Sequence, residues 1–272
     1  GGGFKMFSGF NLSEVIFHDN DDLEEFYKKG LASFNGYKTQ VETSLQKYIC
    51  EDNSLDGVKM QEDWFPQLQV DIFLSHAHKD EKNVIALAGW LKETFGIRVF
   101  VDSCIWGYAP NLLKIIDDKY CVSNKDDTCT TYSYEKRNSS TSHVYMMLSV
   151  ALMKMIDKSE SMFFYNTPSS FKQSSIITNG STYSPWIYHE LQTSKIIRHQ
   201  PLSNYRTTYF VKDEYGSVLE HAGFPKVKYD ITLEHLISID MSTLNSWQEA
   251  YSHEKCYYAL DKLYSIVGIF ST

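Results

Sequence analysis

The stretch VDIFLSHAHKDEKNVIALAGWLKETFGIRVFVD, residues 70–102, decides the fold class. It begins with a short apolar run rich in strand-forming residues, VDIFL, and ends with a second one, IRVFVD. Between them, EKNVIALAGWLKETFG has the apolar spacing of an amphipathic helix that ends at Gly96. A strand, a helix and a strand in this order predict a βαβ unit, and therefore a parallel sheet with a right-handed crossover.

The same alternation continues towards the carboxyl terminus. The later helical patterns are VYMMLSVALMKMIDKSE, WIYHELQTSKIIR and a segment from about residue 247 to residue 267. The later strand patterns are SMFFYN, TTYFV and segments near KVKYDI and HLISID. We therefore predict an α/β fold with a doubly wound, flavodoxin-like parallel sheet of about five strands.

Two segments fall outside this alternation. Residues 1–67 contain the helical patterns DDLEEFYKKGLASF and YKTQVETSLQKYI, and Pro66 ends this region, so we predict an N-terminal helical extension before an α/β domain at 68–272. An insertion at about 103–142, after the second strand, is longer than most strand-to-helix connections. It is either a functional lid or a disordered loop, and its aromatic residues favour the lid.

Composition excludes several classes of partner. Among 272 residues, 26 are Lys or Arg and 34 are Asp or Glu, which gives a net charge of −8. Without a dense basic run, nucleic acid is not expected as a partner. The five cysteines are scattered and lack CxxC pairs, so we expect reduced thiols and no zinc site. No apolar run is long enough for a secretory signal or a membrane span, so we expect a cytoplasmic protein without membrane contact.

Topology alone predicts where a ligand would bind. In open parallel sheets, ligands lie outside the carboxyl ends of the strands. The strand ends here are residues 75–80, 102–110 and 166–168. The helix after the third of them begins with SPWIYHEL, residues 184–191, and its Trp186 and Glu190 are four residues apart on one helical face.

Each of these residues also has an ordinary structural explanation. Ser184 is a typical N-cap before a proline, Glu190 can complement the helix dipole, and Trp186 can simply pack. His76 and His78 alternate as metal ligands do, but no third ligand accompanies them at a recognisable spacing, so no metal is expected. No GxGxxG or P-loop motif follows a strand, which disfavours dehydrogenase-type dinucleotide binding and P-loop chemistry.

The motifs resemble a known family. VDIFLSHAHKDE resembles the first signature box of Toll/interleukin-1 receptor (TIR) domains, and RVFVD with its following loop resembles the second, without the usual Arg-Asp and Pro-Gly pairs. SPWIYHEL is similar to the helix start of NAD-consuming TIR domains, where a small residue, an aromatic residue and a glutamate line the cleft. With QEDWFPQL, FVDSCIWGY and YEKRNSSTSHVYMML, these motifs resemble the bacterial TIR proteins of Thoeris-type anti-phage systems.

This resemblance implies an enzyme that cleaves the nicotinamide–ribose bond of NAD+, with NAD+ as substrate rather than cofactor. Such an NAD+ glycohydrolase or ADP-ribose cyclase makes ADP-ribose, a cyclic isomer or a conjugate. The implied partners are a separate effector protein that senses this nucleotide signal, a phage-derived activator and further copies of the chain in a homo-oligomer.

The chemistry of NAD+ cleavage is compatible with one carboxylate. The pyridinium leaving group departs as neutral nicotinamide without a proton, so the general acid of an ordinary glycosidase is dispensable. Glu190 is therefore the candidate catalytic residue, which would stabilise the oxocarbenium-like transition state. The candidate substrate-binding residues, all aromatic or polar, are Phe73, Ser75, His76, Lys79, Asp80, Trp106, Tyr108, His143 and Trp186.

Two other functions fit the same residues. One is a non-enzymatic TIR interaction and assembly module, which a surface ion pair between Glu190 and a Lys or Arg would favour. The other is a nucleoside deoxyribosyltransferase-like enzyme, which also uses a glutamate on a similar α/β scaffold. Competition between NAD+ and deoxynucleosides would separate that enzyme from an NAD+ hydrolase.

Overall fold

A computed structural model describes residues 8–17, 19–35, 45–101, 109–125, 129–173, 179–197, 228–253 and 258–269. The strands are β1 Ser8–Ser13, β2 Ile72–Ser75, β3 Val99–Val101, β4 Val122–Lys125, β5 Thr130–Tyr132, β6 Ser161–Asn166, β7 Lys172–Gln173, β8 Asn179–Thr182, β9 Tyr229–Thr232 and β10 Ile237–Ile239. The α-helices are α1 Asn20–Asn35, α2 Gly57–Trp64, α3 Glu81–Phe95, α4 Ala109–Ile116, α5 Tyr134–Lys158, α6 Pro185–Ile196, α7 Met241–His253 and α8 Ala259–Ile266. Short 3₁₀ turns occur at Leu45–Tyr48 and His78–Asp80, and a π-helical turn at Asp117–Cys121.

The central sheet has five parallel strands in the order β10-β1-β6-β2-β3. One apolar core lies on the face of the sheet that bears Phe73 and Phe164, beneath α2, α4, α5 and α6. A second core lies on the face that bears Leu74 and Phe163, beneath α3, α7 and α8. Helices on both faces of a parallel sheet confirm the predicted doubly wound α/β fold.

The N-terminal region differs from the prediction. Residues 1–67 are not a separate helical extension, because β1 pairs with β6 and β10 in the interior of the sheet. Read from β3 to β10, the sheet has the flavodoxin-like order 2-1-3-4-5 when β2, β3, β6 and β10 are numbered 1, 2, 3 and 5. Strand β1 then takes the place of strand 4. The sequence SGFNLS gives little sign of this strand, since only Phe10 and Leu12 are large and apolar. Long-range pairing forms this strand, not local propensity.

Helix α1 is also part of the domain, because it crosses α3 at very short distance. Two glycines permit the approach. A Cβ added to Gly30 would lie 2.1 Å from the Ile85 carbonyl oxygen, and one added to Gly89 would lie 2.0 Å from that of Phe26. The contact therefore requires glycine on both helices.

The βαβ unit at 70–102 is confirmed by β2, α3 and β3, and α3 ends at Gly96 with a φ of 70°. The later strands agree in part. HLISID supplies β10, but the strand near KVKYDI, β9, lies in a separate antiparallel sheet with β7 and β8. TTYFV lies outside the described residues. The helix predicted at about 247–267 is two helices, and the first begins earlier because Asp240 accepts a hydrogen bond from the Thr243 N–H.

The predicted insertion at 103–142 contains regular structure where it is described. Helix α4, the π-helical turn and the β4–β5 hairpin occupy it, and α5 begins at Tyr134 rather than near residue 143. Ser133 is the N-cap of α5, and its hydroxyl accepts from the Lys136 N–H. Buried Asp117 holds the first turns of α5, accepting from Arg137 Nε at 2.9 Å and from the Ser140 hydroxyl.

Within the described ranges, none of the helices combines the length and apolarity that crossing a bilayer requires.

Candidate functional site

The candidate site lies where the connections of the sheet diverge. From β2 the chain passes through α3 to β3 at one edge of the sheet. After β6, the next strand of this sheet along the chain is β10, at the other edge. The carboxyl ends of the adjacent strands β2 and β6 therefore flank a topological switch point, which is where open α/β sheets bind ligands.

Helix α6 carries a glutamate to this point. The Ser184 hydroxyl caps the helix by accepting from the Ile187 N–H at 3.2 Å, and Pro185 occupies the first turn. Glu190 follows in the second turn with no exposed surface, and the hydroxyl of fully buried Ser75 donates to its Oε2 at 2.7 Å. The structure thus brings together two predicted residues that are 115 positions apart.

This burial argues against the simpler explanations of Glu190. A carboxylate that complements the helix dipole typically lies in the first turn and at the surface, whereas Glu190 lies in the second turn and is buried. Removing a carboxylate from water is costly, and the hydrogen bond that Ser75 donates offsets part of this cost. The fold therefore holds a buried acidic group at the switch point.

Trp186 lies one turn before Glu190, half-buried against the core beneath α5. Its ring centroid lies 5.9 Å from that of Tyr145 on α5 and 6.3 Å from that of His189. Tyr145 is 37% exposed, so the two rings form an aromatic surface that reaches solvent beside α6. A planar ring of a ligand could stack on such a surface.

Two serine–histidine pairs fasten α6 to its neighbours, and neither is evident from the sequence. His189 Nε2 lies 2.8 Å from the Ser149 hydroxyl on α5, and His235 Nε2 lies 3.0 Å from the Ser194 hydroxyl on α6. Burial lowers the pKa of His189. Burial, and to a lesser extent the charge of Lys195, lowers the pKa of His235.

The loop after β2 contributes the other predicted polar residues. His76 is almost completely buried, with 1% exposure, next to Ser75. Asp80 is half-buried and accepts a hydrogen bond from the Thr167 hydroxyl, so it joins the carboxyl ends of β2 and β6. Lys79 is exposed, and its role in substrate binding stays a prediction.

Phe73 and His143 have the surroundings of an ordinary core residue and an ordinary surface residue. Phe73 is fully buried and stacks on Phe100 with ring centroids 5.2 Å apart, so its ring packs in the core. His143 is exposed on α5. Trp106 and Tyr108 lie outside the described residues.

In the part of the chain that the structure describes, no group of three or more His, Cys, Asp or Glu side chains has the arrangement of a metal site. No family model, curated protein or solved structure matches this chain. The geometry at the switch point therefore carries the functional argument.

Proposed function

We propose that this protein cleaves the nicotinamide–ribose bond of NAD+ with Glu190 as the catalytic carboxylate. The observation that carries the proposal is the fully buried Glu190 carboxylate, hydrogen-bonded to Ser75 at the switch point of the sheet. A buried acid at the ligand-binding edge of an α/β sheet is a typical catalytic arrangement.

The reaction needs few groups from the protein. The electron pair of the bond between C1′ and the pyridinium nitrogen moves to nitrogen, and nicotinamide leaves neutral. Positive charge then develops on the ribosyl ring, and a carboxylate in a low-dielectric site stabilises it more strongly than in water. Glu190 would supply the stabilising negative charge. Its carboxylate would also accept hydrogen bonds from the ribose hydroxyls, in competition with the Ser75 hydroxyl. Water adding at C1′, with loss of a proton, gives ADP-ribose, whereas an internal nucleophile gives a cyclic isomer.

The surroundings of Glu190 support a nucleotide substrate. The Trp186–Tyr145 surface would stack a planar base, and the exposed Lys79 would meet a phosphate. The resemblance to TIR proteins of anti-phage systems extends this proposal to a cytoplasmic defence role. An ADP-ribose-derived signal, cyclic or conjugated, would be sensed by a separate effector, and a phage-derived activator would trigger the homo-oligomer.

The experiment compares nicotinamide release from NAD+ by the wild type and by Glu190→Gln, with and without lysate of phage-infected cells, and identifies the product by mass spectrometry. We expect Glu190→Gln to be at least about 100-fold slower, because its amide carries no charge. The control is Glu234→Gln, an exposed glutamate, which should retain the wild-type rate. Equal release by Glu190→Gln and the wild type would exclude Glu190.

A non-enzymatic assembly module is the second candidate, and one observation favours it. Helix α5 exposes apolar side chains, with Met146 63% and Tyr134 80% exposed. Such residues on one helix are common in protein interfaces. However, Glu190 is buried rather than part of a surface ion pair. A module would release no nicotinamide under any condition and would self-associate through α5.

The third candidate, a nucleoside deoxyribosyltransferase-like enzyme, uses the same kind of carboxylate on another substrate. Adding deoxynucleosides to the NAD+ assay separates the two enzymes. A deoxyribosyltransferase would exchange the bases of deoxynucleosides, whereas an NAD+ hydrolase would leave them intact.

A further inference from the structure

Beyond Glu190, a row of polar side chains crosses the ligand-binding edge of the sheet. The Asn166 amide Nδ2 on β6 donates to Asn11 Oδ1 on β1 at 2.9 Å, and Asn11 Nδ2 donates to the Ser238 hydroxyl on β10 at 3.4 Å. We call these three residues the amide row. Asn11 is buried, Asn166, the last residue of β6, is half-buried, and Ser238 is exposed, so the row reaches solvent at Asn166 and Ser238.

The amide row lies on the same face of the sheet as Ser75. Side chains alternate along a strand, and Phe73 and Phe164 belong to the core beneath α5 and α6. Ser75 therefore points to that face together with Asn166. Phe10 and Leu12 belong to the opposite core, which directs Asn11 to the same face as Ser75. Ser75, which holds Glu190, and the amide row thus lie on one face of the sheet.

Polar residues are unusual in this position. Parallel strands covered by helices on both faces generally have apolar side chains on both. The strand β1 instead presents Gly9, Asn11 and Ser13 to the face beneath α6, where none is large and apolar. Gly9 lies directly beneath Leu236, whereas Asn11 lies nearer the carboxyl end of the strand.

The row keeps hydrogen-bonding capacity for a ligand. Among the described residues, no hydrogen bond reaches Asn166 Oδ1, and the Asn166 amide has a second N–H. The row contains donors and acceptors but no charged side chain. It therefore suits a neutral group with both donors and acceptors, such as a nucleobase or a ribose, better than a phosphate.

We infer that the amide row binds the adenosine half of a dinucleotide whose reacting ribose lies at Glu190. Strands β2 and β10 are three strand spacings apart, about 14 Å, which suits an extended dinucleotide with its pyrophosphate in between. This inference rests on the proposed function. It adds a site that selects NAD+ over smaller nicotinamide nucleotides.

The test uses calorimetric titration of two probes, ADP-ribose and nicotinamide mononucleotide, which lacks the adenosine half. Asn11→Ala, Asn166→Ala and Ser238→Ala are each made in a Glu190→Gln background, so that neither probe is consumed. We expect Asn11→Ala and Asn166→Ala to weaken ADP-ribose binding about fivefold, the loss of one net hydrogen bond. Binding of nicotinamide mononucleotide should change less than about twofold.

Two controls separate a lost contact from a lost fold. Gln67→Ala removes another half-buried amide, which donates to the Ala151 carbonyl oxygen away from the row, and should affect neither probe. Ser238→Ala changes an exposed residue that does not endanger folding, and it should weaken ADP-ribose alone to a smaller extent.

The outcomes distinguish this inference from the proposed function. Selective loss of ADP-ribose binding supports adenosine binding by the amide row. If the wild type also releases no nicotinamide, only the proposed reaction fails. Unchanged ADP-ribose binding in the row variants, equal weakening of both probes, or no ADP-ribose binding by the starting protein overturns the row. If the wild type still releases nicotinamide in a Glu190-dependent way, the reaction stands without it.

Discussion

Two buried glutamates lie at opposite ends of the central sheet. At the carboxyl end, Glu190 has no exposed surface and accepts from the Ser75 hydroxyl at 2.7 Å. At the amino end, Glu160 is 5% exposed and accepts from the Tyr264 hydroxyl at 2.9 Å. Both carboxylates are therefore buried, and each accepts a hydrogen bond from a hydroxyl.

Their neighbourhoods differ in what they connect. Glu160 directly precedes β6, and Tyr264 on α8 also lies 2.7 Å from the Ser161 hydroxyl, so this cluster ties a helix to the start of a strand. Glu190 lies at the switch point, the position at which open α/β sheets bind ligands. Topology, rather than burial, therefore separates the candidate catalytic acid from the structural one.

Removing the hydroxyl that donates to each glutamate should have the largest effect, on stability at the Glu160 end and on the reaction rate at the Glu190 end. Tyr264→Phe keeps the ring, which lies parallel to Phe10, but deprives Glu160 and Ser161 of a buried partner. We expect a loss of about 2 kcal/mol in the free energy of unfolding, measured by urea denaturation, with nicotinamide release unchanged. Ser75→Ala should lower nicotinamide release about tenfold, because Ser75 orients the catalytic carboxylate. If Tyr264→Phe reduced the catalytic rate as much as Ser75→Ala, the two ends would not differ in function.

A smaller effect on stability is expected when the pH falls, because the histidine contacts of α6 weaken. Burial lowers the pKa values of His189 and His235 in the folded protein, so the unfolded chain binds more protons as pH falls. The stability that these neutral histidines contribute is present above the unfolded value of 6.5 and declines as pH falls from there towards their folded values. His189→Asn should flatten this decline in urea denaturation between pH 7 and pH 5. The exposed His143 gives the control, His143→Asn, and the same flattening there would contradict the assignment to α6.

The sequence predicts those parts of the fold whose signal is local. The strand β2, helix α3 and strand β3 have strong apolar periodicity and a glycine stop, and the rule for strand ends then places Ser75 and Glu190 at one edge. Strand β1 lacks such a signal, since Gly9 and Asn11 are poor strand formers and its stability comes from pairing with β6 and β10.

The remainder of the site depends on tertiary contacts. The Ser149–His189 pair and the amide row join residues from separate elements, so no spacing in the sequence indicates them. The early start of α5 is similar, because its serine-rich first turns have modest helix propensity and are held by buried Asp117. Phe73 shows the converse, since the sequence predicts a binding role for this aromatic residue near a strand end, whereas its ring packs in the core.

The most direct test of the account is the ratio of nicotinamide release rates between Glu190→Gln and Glu160→Gln. The two variants make the same chemical change in two buried glutamates, so a general effect of altering a buried carboxylate cancels. The account predicts that Glu190→Gln is at least about 100-fold slower than Glu160→Gln, which retains the wild-type rate even if it melts at a lower temperature. Equal rates in the two variants would contradict the claim that the carboxyl end of the sheet holds the catalytic acid.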